Sequence, residues 1–473
     1  MFVSVSLLAM IAGCASAPLE RSAPVAPAAF STSAAAEEAQ LALWWRAFDD
    51  PQLTQLIDRA LADNPDMAIA QARIAQARAE ARVAQAALGP SLNLGAGATT
   101  TQLSENALPP GLTRLTGGDG GNSGGLGLPG EAFTTYQTGF DAAWELDLFG
   151  LRRAGQGAAR ARAEAAVWTA RDARVRLSAE VARTYFQYGA LKRRLAVADE
   201  ILAAHGTMLA ASEARARHGL IDARDTGRRT AARDQAAAAR ALLAAEAQAR
   251  LHALAALTGQ PPLALMVATT ATAPDAPQIP AGLPADLLRR RPDLRAAELR
   301  LAAADADAAA ARADLYPKLT LSGTAQLASI ALSSLLSADS LQATGAVRAS
   351  LPLLDGGRRR ATLAGRRAAA DEADAAWRGQ LLTALKETED ALSRLEADAM
   401  RRERLASAAT AAEKVAQASR TREANGLIGA TESLEARLAA LQAHDAEIQA
   451  QAQQAEDTTA LVKALGGGWE AER

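Results

Sequence analysis

Aromatic side chains make up only 4% of this chain, although 49% of its residues are hydrophobic, with alanine dominating that fraction. Alanine favours helix and lets backbones approach, yet each side chain buries little area, so many thin helix contacts are expected rather than one thick core. Cysteine is nearly missing, and the single Cys14 excludes an internal disulfide. Charge of one sign is not in excess: 51 Lys plus Arg stand against 53 Asp plus Glu, a formal net charge of -2. That balance argues against nucleic acid as a partner, which calls for a basic patch or stripe. No run of 18 or more apolar residues occurs, which excludes an ordinary membrane-spanning helix.

Proline is absent from two tracts, 130–260 and 353–473. Because proline costs ~3 kcal/mol inside a helix, these tracts are where long helices can form. Gly150 to Gly219 contains no cluster of helix breakers, and Val181, Tyr188, Leu195, Leu202 and Leu209 recur every seven residues. Gly357 to Gly426 is nearly the same length, and Leu434, Leu441 and Ile448 follow at the same period. Seven-residue apolar spacing supports coiled-coil-like packing. Each long helix would span on the order of 100 Å. Taken alone, these tracts also suit a coiled-coil rod.

Catalytic constellations are missing as well. His205, His218, His252 and His444 are scattered, with none in a metal-ligand spacing. Gly117-Gly118-Asp119-Gly120-Gly121 lacks the Lys-Ser/Thr that follows a phosphate-binding loop. No enzyme activity, cofactor or metal site is expected.

What the chain does contain is a duplication. Asn64-Pro65-Asp66-Met67 leads to Leu88-Gly89-Pro90-Ser91-Leu92, and Arg291-Pro292-Asp293-Leu294 leads to Leu315-Tyr316-Pro317-Lys318-Leu319, with equal spacing between the paired prolines. His218-Gly219-Leu220-Ile221-Asp222 is answered by Asn425-Gly426-Leu427-Ile428-Gly429. The unit, roughly 200 residues long, exceeds any solenoid repeat. Between its helices each copy holds a strand of alternating polarity. Tyr136, Phe140, Ala142, Trp144, Leu146 and Leu148 share one parity, opposite Gln137, Asp141, Glu145 and Asp147. In the second copy Leu341, Ala343, Val347, Leu351 and Leu353 alternate with Gln342, Thr344, Arg348 and Ser350. Weaker partners precede them at Ser91 to Thr101 and Lys318 to Ala328, so each copy contributes one hairpin. Such a sheet suits a half-buried soluble sandwich or a transmembrane barrel wall; if it spans a bilayer, four strands cannot close around water and several chains must share one barrel.

Charges crowd the two glycine turns: Arg215, Arg217, Asp222, Arg224, Asp225 and Arg228 in the first, Arg420, Arg422, Glu423, Glu432 and Glu435 in the second. Capped turns account for such clusters, but apolar tips at Leu220, Ile221, Leu427 and Ile428 also suit a contact surface. At the N-terminus, the apolar run Leu7 to Gly13 has signal-peptide length, with no Lys or Arg before it, which leaves room for a start further upstream.

Several motifs together carry a resemblance to a known family. Ile11-Ala12-Gly13-Cys14 resembles a bacterial lipobox, with Cys14 as the lipidated residue. With Trp44-Trp45-Arg46-Ala47-Phe48-Asp49-Asp50-Pro51, Trp144-Glu145-Leu146-Asp147-Leu148-Phe149-Gly150, Leu287-Leu288-Arg289-Arg290-Arg291-Pro292-Asp293 and Leu465-Gly466-Gly467-Gly468-Trp469, the chain resembles TolC-like outer-membrane efflux lipoproteins, OprM/NodT branch, of resistance-nodulation-division pumps. The resemblance implies a mainly α protein with a small transmembrane β part. Three chains would form a 12-stranded barrel continued by a long periplasmic α-helical barrel. It implies a passive exit duct in the outer membrane, a homotrimer partnered by a periplasmic membrane fusion adaptor, an inner-membrane pump and outer-membrane lipid. Residues near 41–63 and 259–290, with the C-terminal end, would build an equatorial belt. Gly219, Leu220, Ile221, Gly426, Leu427 and Ile428 would meet the adaptor, and Asp222, Arg224, Asp225, Glu432 and Glu435 would hold the gate. Lumen-facing Asp141, Glu145, Asp147 and Arg348 would bias ions weakly.

The expected division is a signal peptide over 1–13, a lipidated tether over 14–40, repeat 1 over 41–259, an equatorial linker over 260–283, repeat 2 over 284–466 and a tail over 467–473. Repeat 1 holds strands about 91–103 and 133–148 and a long helix about 151–218; repeat 2 holds strands about 318–328 and 340–354 and a long helix about 357–425. Metal efflux, type I protein secretion and a lipid-anchored periplasmic scaffold are the competing functions.

Overall fold

The computed structural model describes residues 41–102, 104, 132–268, 277 and 290–469. Cys14, the tether, nearly all of the Gly-rich connection over 103–132 and most of the expected linker lie outside them. After a 3-10 turn at Trp44–Phe48, the order is α1 (Pro51–Asp63), α2 (Pro65–Ala86), β1 (Ser91–Gln102), β2 (Ala132–Leu146), α3 (Leu151–Arg217) and α4 (Ala223–Leu257). The second copy follows as α5 (Pro292–Ala313), β3 (Lys318–Ser329), β4 (Leu341–Ser350), α6 (Arg358–Ala424) and α7 (Ala430–Ala464).

The duplication holds to the residue in the helices. α2 and α5 both have 22 residues, α3 and α6 both 67, and α4 and α7 both 35. Pro65 and Pro292 both open a helix, at the one position where proline's missing N–H costs nothing. The copies differ in length inside the hairpin, where β1 and β2 are joined by residues 103–131 and β3 and β4 by residues 330–340. Among the described residues, no helix is long and apolar enough to cross a membrane.

The chain divides into two compact units. One comprises Arg78–Arg162 and Ala302–Glu372 and holds a four-stranded antiparallel sheet in the order β1-β2-β3-β4. The other contains Ala163–Leu301 and Ala373–Arg473, together with the described residues 41–77.

In the sheet unit the strands end earlier than alternation suggests. β2 stops at Leu146 and β4 at Ser350, so Asp147, Leu148, Leu351 and Leu353 are not strand residues. Pro352 has no N–H to continue the ladder. Asp147 instead turns back, accepting from the Arg152 backbone N–H at 3.2 Å and the Arg153 N–H at 2.8 Å, which satisfies free donors at the start of α3.

The helical unit is built on a core that includes several aromatic side chains. Trp44, Trp45, Phe48, Val181, Phe186, Leu254, Leu294, Leu381 and Leu461 belong to one buried cluster. Trp44 meets Trp45 edge-on at 5.9 Å between centroids, and Phe48 packs on Phe186 at 4.9 Å. Asp50 caps α1, accepting from the N–H groups of Gln52 and Leu53, and its second oxygen accepts from the Tyr185 hydroxyl at 2.7 Å. Burial, then this acceptor, pushes the Tyr185 phenol well above its usual range. The C-terminal glycines close the same core, with Gly468 N–H donating to the Leu41 carbonyl and Trp469 Nε1 to the Arg290 carbonyl.

Beyond that core, the seven-residue pattern becomes a seam between copies. Ala190 and Val197 on α3 pack against Leu441, Ile448 and Ala452 on α7, and Ala204 and Met208 pack against Leu438. Val181, Tyr188 and Leu209 are buried, while Leu195 and Leu202 are only half-buried. The stripe drifts because 3.6 residues per turn do not keep a strict seven-residue repeat on one line.

Candidate functional site

The sheet separates its faces cleanly. Register places Leu94, Phe140, Ala325 and Ala343 in one row across all four strands, with Trp144, Leu321 and Val347 in another row on the same face. The opposite face carries Asn93, Asp141, Thr324 and Thr344 in one row and Glu145, Thr320 and Arg348 in another. Leu92, Leu94, Phe140, Leu341 and Val347 are all exposed, at 51–70% of their surface. Lipid on one face and water on the other is the arrangement that keeps such side chains solvated appropriately. Among the described residues, β1 and β4 each leave an outer edge unpaired. In hydrocarbon those open edges would strand a row of N–H and C=O groups, so the sheet must be continued by other strands.

At the base of the sheet, polar side chains tie strand ends to helices of the same unit. Arg152 pairs with Glu145 at 3.1 Å and also donates to the Ala87 carbonyl, while Trp144 Nε1 donates to the Leu88 carbonyl at 2.9 Å. Phe149 stacks on Tyr316 at 4.9 Å, and buried Arg359 donates to the Asp314 carbonyl at 2.7 Å. Asp141, Glu145 and Arg348 thus lie on the polar face as expected, whereas Asp147 serves as a helix cap.

The two glycine turns have the same backbone. Gly219 and Gly426 take φ of 71° and 70°, a left-handed conformation that side chains disfavour. Leu220 N–H donates to the Arg215 carbonyl and Leu427 N–H to the Arg422 carbonyl, both at 2.9 Å, closing each helix with a Schellman-type bond. Leu220 and Leu427 stand about two-thirds exposed at 71% and 68%, and Ile221 and Ile428 are half-buried behind them.

The turn charges divide into local and cross-copy pairs. Asp222 caps α4 and binds Arg224 at 2.6 Å, and Asp225 binds Arg228 at 2.6 Å, so these three predicted gate residues are held within their own turn. Hydrogen bonds from Arg224 hold the Asp222 carboxyl below its usual range. Glu432 lies in the first turn of α7. Glu435 alone of the predicted set bridges copies, pairing with Arg229 of α4 at 3.1 Å. Sequence reading missed the rest of this network. Arg437 of α7 joins Glu200 of α3 at 2.5 Å and Glu413 of α6 at 2.8 Å, and Arg194 of α3 holds Asp445 of α7 with two hydrogen bonds. The only available signal was a charge flanking a heptad position, which every coiled coil shows.

A second polar site lies at the junction of α3, α5, α6 and α7. A cavity of about 430 Å³ is lined by Asp172, Arg176, Arg291, Asp293, Glu387 and Lys463 among others. Arg291 grips Asp293 with two hydrogen bonds at 3.0 and 2.7 Å, reaches Glu387 at 2.7 Å and donates to the Ala464 carbonyl. Burial pushes the Asp172 carboxyl up despite its pairing with Arg176 at 2.8 Å. Among the described residues, no group of three His, Cys, Asp or Glu is placed to hold a metal ion.

A two-faced sheet with open edges, in a chain whose duplicated helices reach 67 residues, is the wall element of an outer-membrane channel. The outer membrane efflux protein family matches residues 56–260 and 283–467, and this chain belongs to that family. It is 32% identical over 478 residues to outer membrane protein OprJ of Pseudomonas aeruginosa, covering 99% of this chain and 96% of OprJ. It is 31% identical to the pyoverdine export outer membrane protein OpmQ of the same organism, covering 100% of this chain and 97% of that protein. The solved structure of the outer-membrane channel OprN superposes with a TM-score of 0.83 at 31% identity, over 96% of this chain and 100% of OprN. The protein is therefore an outer-membrane efflux channel of the TolC-like fold, a transporter by family.

Proposed function

We propose that three copies of this chain form a passive exit duct for small molecules. Each copy contributes four strands to a 12-stranded barrel, and the helices continue the conduit into the periplasm. The carrying observation is the four-stranded sheet with an apolar face, a polar face and, among the described residues, two unpaired edges. Only closure with identical sheets removes those edges while keeping the pattern. An inner-membrane pump supplies the energy and a periplasmic adaptor joins the two, docking on Leu220, Ile221, Leu427 and Ile428 around Gly219 and Gly426. Cys14 at the end of the 1–13 signal segment carries the lipid, 14–40 is the tether, 41–259 and 284–466 are the repeats, and 260–283 links them. Full-length relatives such as OpmQ, named for pyoverdine export, favour a small molecule over a protein as cargo.

The duct is shut where the two repeats of each chain are tied at the tip end, through Arg229 to Glu435 and Arg437 to Glu200, with Glu413 holding Arg437 from its own repeat. Asp222, Arg224, Asp225 and Glu432 tune the turns that these bonds hold. Purified trimer in a planar bilayer should conduct, and Arg229→Ala with Arg437→Ala should raise the open probability severalfold. A lipid-anchored scaffold would show no conductance at all, and deletion of the gene would then leave drug susceptibility unchanged.

A further inference from the structure

α6 and α7 run antiparallel, with residue numbers that rise along one as they fall along the other. Glu413 meets Arg437, and Arg402 donates to Gln454 at 3.0 Å. The next step of this register brings Asp398 of α6 against Asp457 of α7 within hydrogen-bonding reach. Both residues are more than nine-tenths buried, at 8% and 6% exposure. Asp457 accepts from Gln453 Nε2 at 2.8 Å, whereas Asp398 Oδ2 is buried with no hydrogen-bond partner.

The cations that act on Asp398 belong to its own helix. Arg401 and Arg394 of α6 pull Asp398 down, and Arg402, one turn further on, donates to Gln454 among its contacts. On α7, neighbouring Glu456 adds negative charge, and it is bound by Gln187 of α3 at 2.7 Å, with Arg183 of α3 and Arg250 of α4 acting on Glu456. Burial first, then the facing Asp457, pushes the Asp398 carboxyl up to about 6. Two buried carboxylates side by side cannot both stay ionised without a cation or a proton. Two carboxylates alone give a divalent cation fewer protein ligands than it needs, and no third acidic or histidine ligand joins them among the described residues.

We infer that Asp398 and Asp457 bind one proton between them and that this shared proton latches α6 to α7. The proton turns the orphaned Asp398 oxygen into one end of an O–H···O bond, and its loss leaves two anions facing each other across the helix pair. Because the folded-state affinity for the proton is raised, the latch is fully present in acid and is lost as pH rises through about 6. The periplasm, open to external protons through porous outer membranes, would thereby stiffen or loosen this helix pair.

Hydrogen exchange on the full-length protein tests the latch, comparing residues 391–405 and 450–464 at about pH 5.5 and 7.5 after correction for intrinsic exchange. Wild type should lose roughly fourfold in protection over that interval, while Asp398→Asn and Asp457→Asn, each neutral and able to donate, should show no such step. The double variant should behave as either single one. An unchanged pH step in both single variants would overturn the inference, and so would millimolar Ca2+ restoring protection at the higher pH. Should Asp398→Asn fail to fold, Asp457→Asn and the infrared band of the protonated carboxyl, present in wild type in acid and lost on neutralisation, decide the matter. Channel recordings add an arm that rests on the exit-duct reading: open probability should rise with pH in wild type and stay flat in the variants. Absence of any conductance would defeat the duct and leave the exchange data to judge the latch.

Discussion

The two copies of the repeat share a backbone and differ in the side chains that fasten it. Where α4 ends and α2 begins, Asn64 donates to the Leu257 carbonyl at 2.9 Å and accepts from the Asp66 N–H at 2.7 Å. At the matching junction of α7 and α5, Arg291 reaches the Ala464 carbonyl and takes Asp293 and Glu387 with it. One neutral amide thus does in the first copy what a buried ion cluster does in the second. At the turns the contrast is reversed: Asp222 caps α4 with its side chain, while Gly429 leaves α7 without one. Identical helix lengths preserve the frame, and charge breaks the symmetry of its joints.

The sharpest test of shared backbone lies at Gly259 and Gly466, the equivalent residues after α4 and α7. Both have φ above 70°, and an added Cβ would sit 2.5 Å from the Asp63 carbonyl oxygen in one and 2.8 Å from the Arg290 carbonyl oxygen in the other. Replacing either by alanine should cost ~3 kcal/mol, from backbone strain plus overpacking. Chemical denaturation followed by helical circular dichroism should return similar losses, and a large inequality would break the equivalence.

Next in size is the difference between the fasteners. Arg291→Met leaves Asp293 buried and unpaired and should cost about 3 kcal/mol. Asn64→Ala should cost ~1 kcal/mol, the net value of a neutral hydrogen bond. A pH dependence should separate them further. Burial alone would raise Asp293, but the hydrogen bonds and charge of Arg291 outweigh it and hold the carboxyl below its usual range. A depressed folded-state pKa gives stability that is present above the ordinary carboxylate value and lost as pH falls through the lowered one. Acid melts should therefore show that loss in wild type and in Asn64→Ala, and much less of it in Arg291→Met.

The smallest effect concerns the turns. Gly429 already has the extended backbone of a capping residue, with φ of -80° and ψ of 153°. Gly429→Asp should therefore add a cap worth roughly 0.5 kcal/mol or less. Asp222→Gly should speed hydrogen exchange in the first turn of α4 without altering α7. If both substitutions left exchange unchanged, the asymmetry of the caps would carry no energetic weight.

Much of this architecture was legible from residue spacing. The paired prolines marked helix starts that the structure places at Pro65 and Pro292, and the proline-free tracts became two unbroken helices of 67 residues. Alternation located all four strands but ran past two of their ends, because parity says nothing about where a ladder loses its donors. At the tips, Gly219, Leu220, Gly426 and Leu427 were recognisable because a left-handed glycine followed by an exposed leucine is a local feature. Arg229, Arg437, Glu200 and Glu413 were not, since their partners lie on other helices.

The sequence by itself determined the duplication, the length and kind of each element, and the two-faced character of the hairpins. These follow from periodicities of two, three and a half or seven residues and from the positions of proline and glycine. Only the tertiary structure decided that Phe140 stands beside Ala325, that Arg437 joins three helices, and that Asp398 meets Asp457. Those meetings depend on the register between segments distant in the chain, and register is set by the summed packing of whole helices and strands rather than by any local pattern.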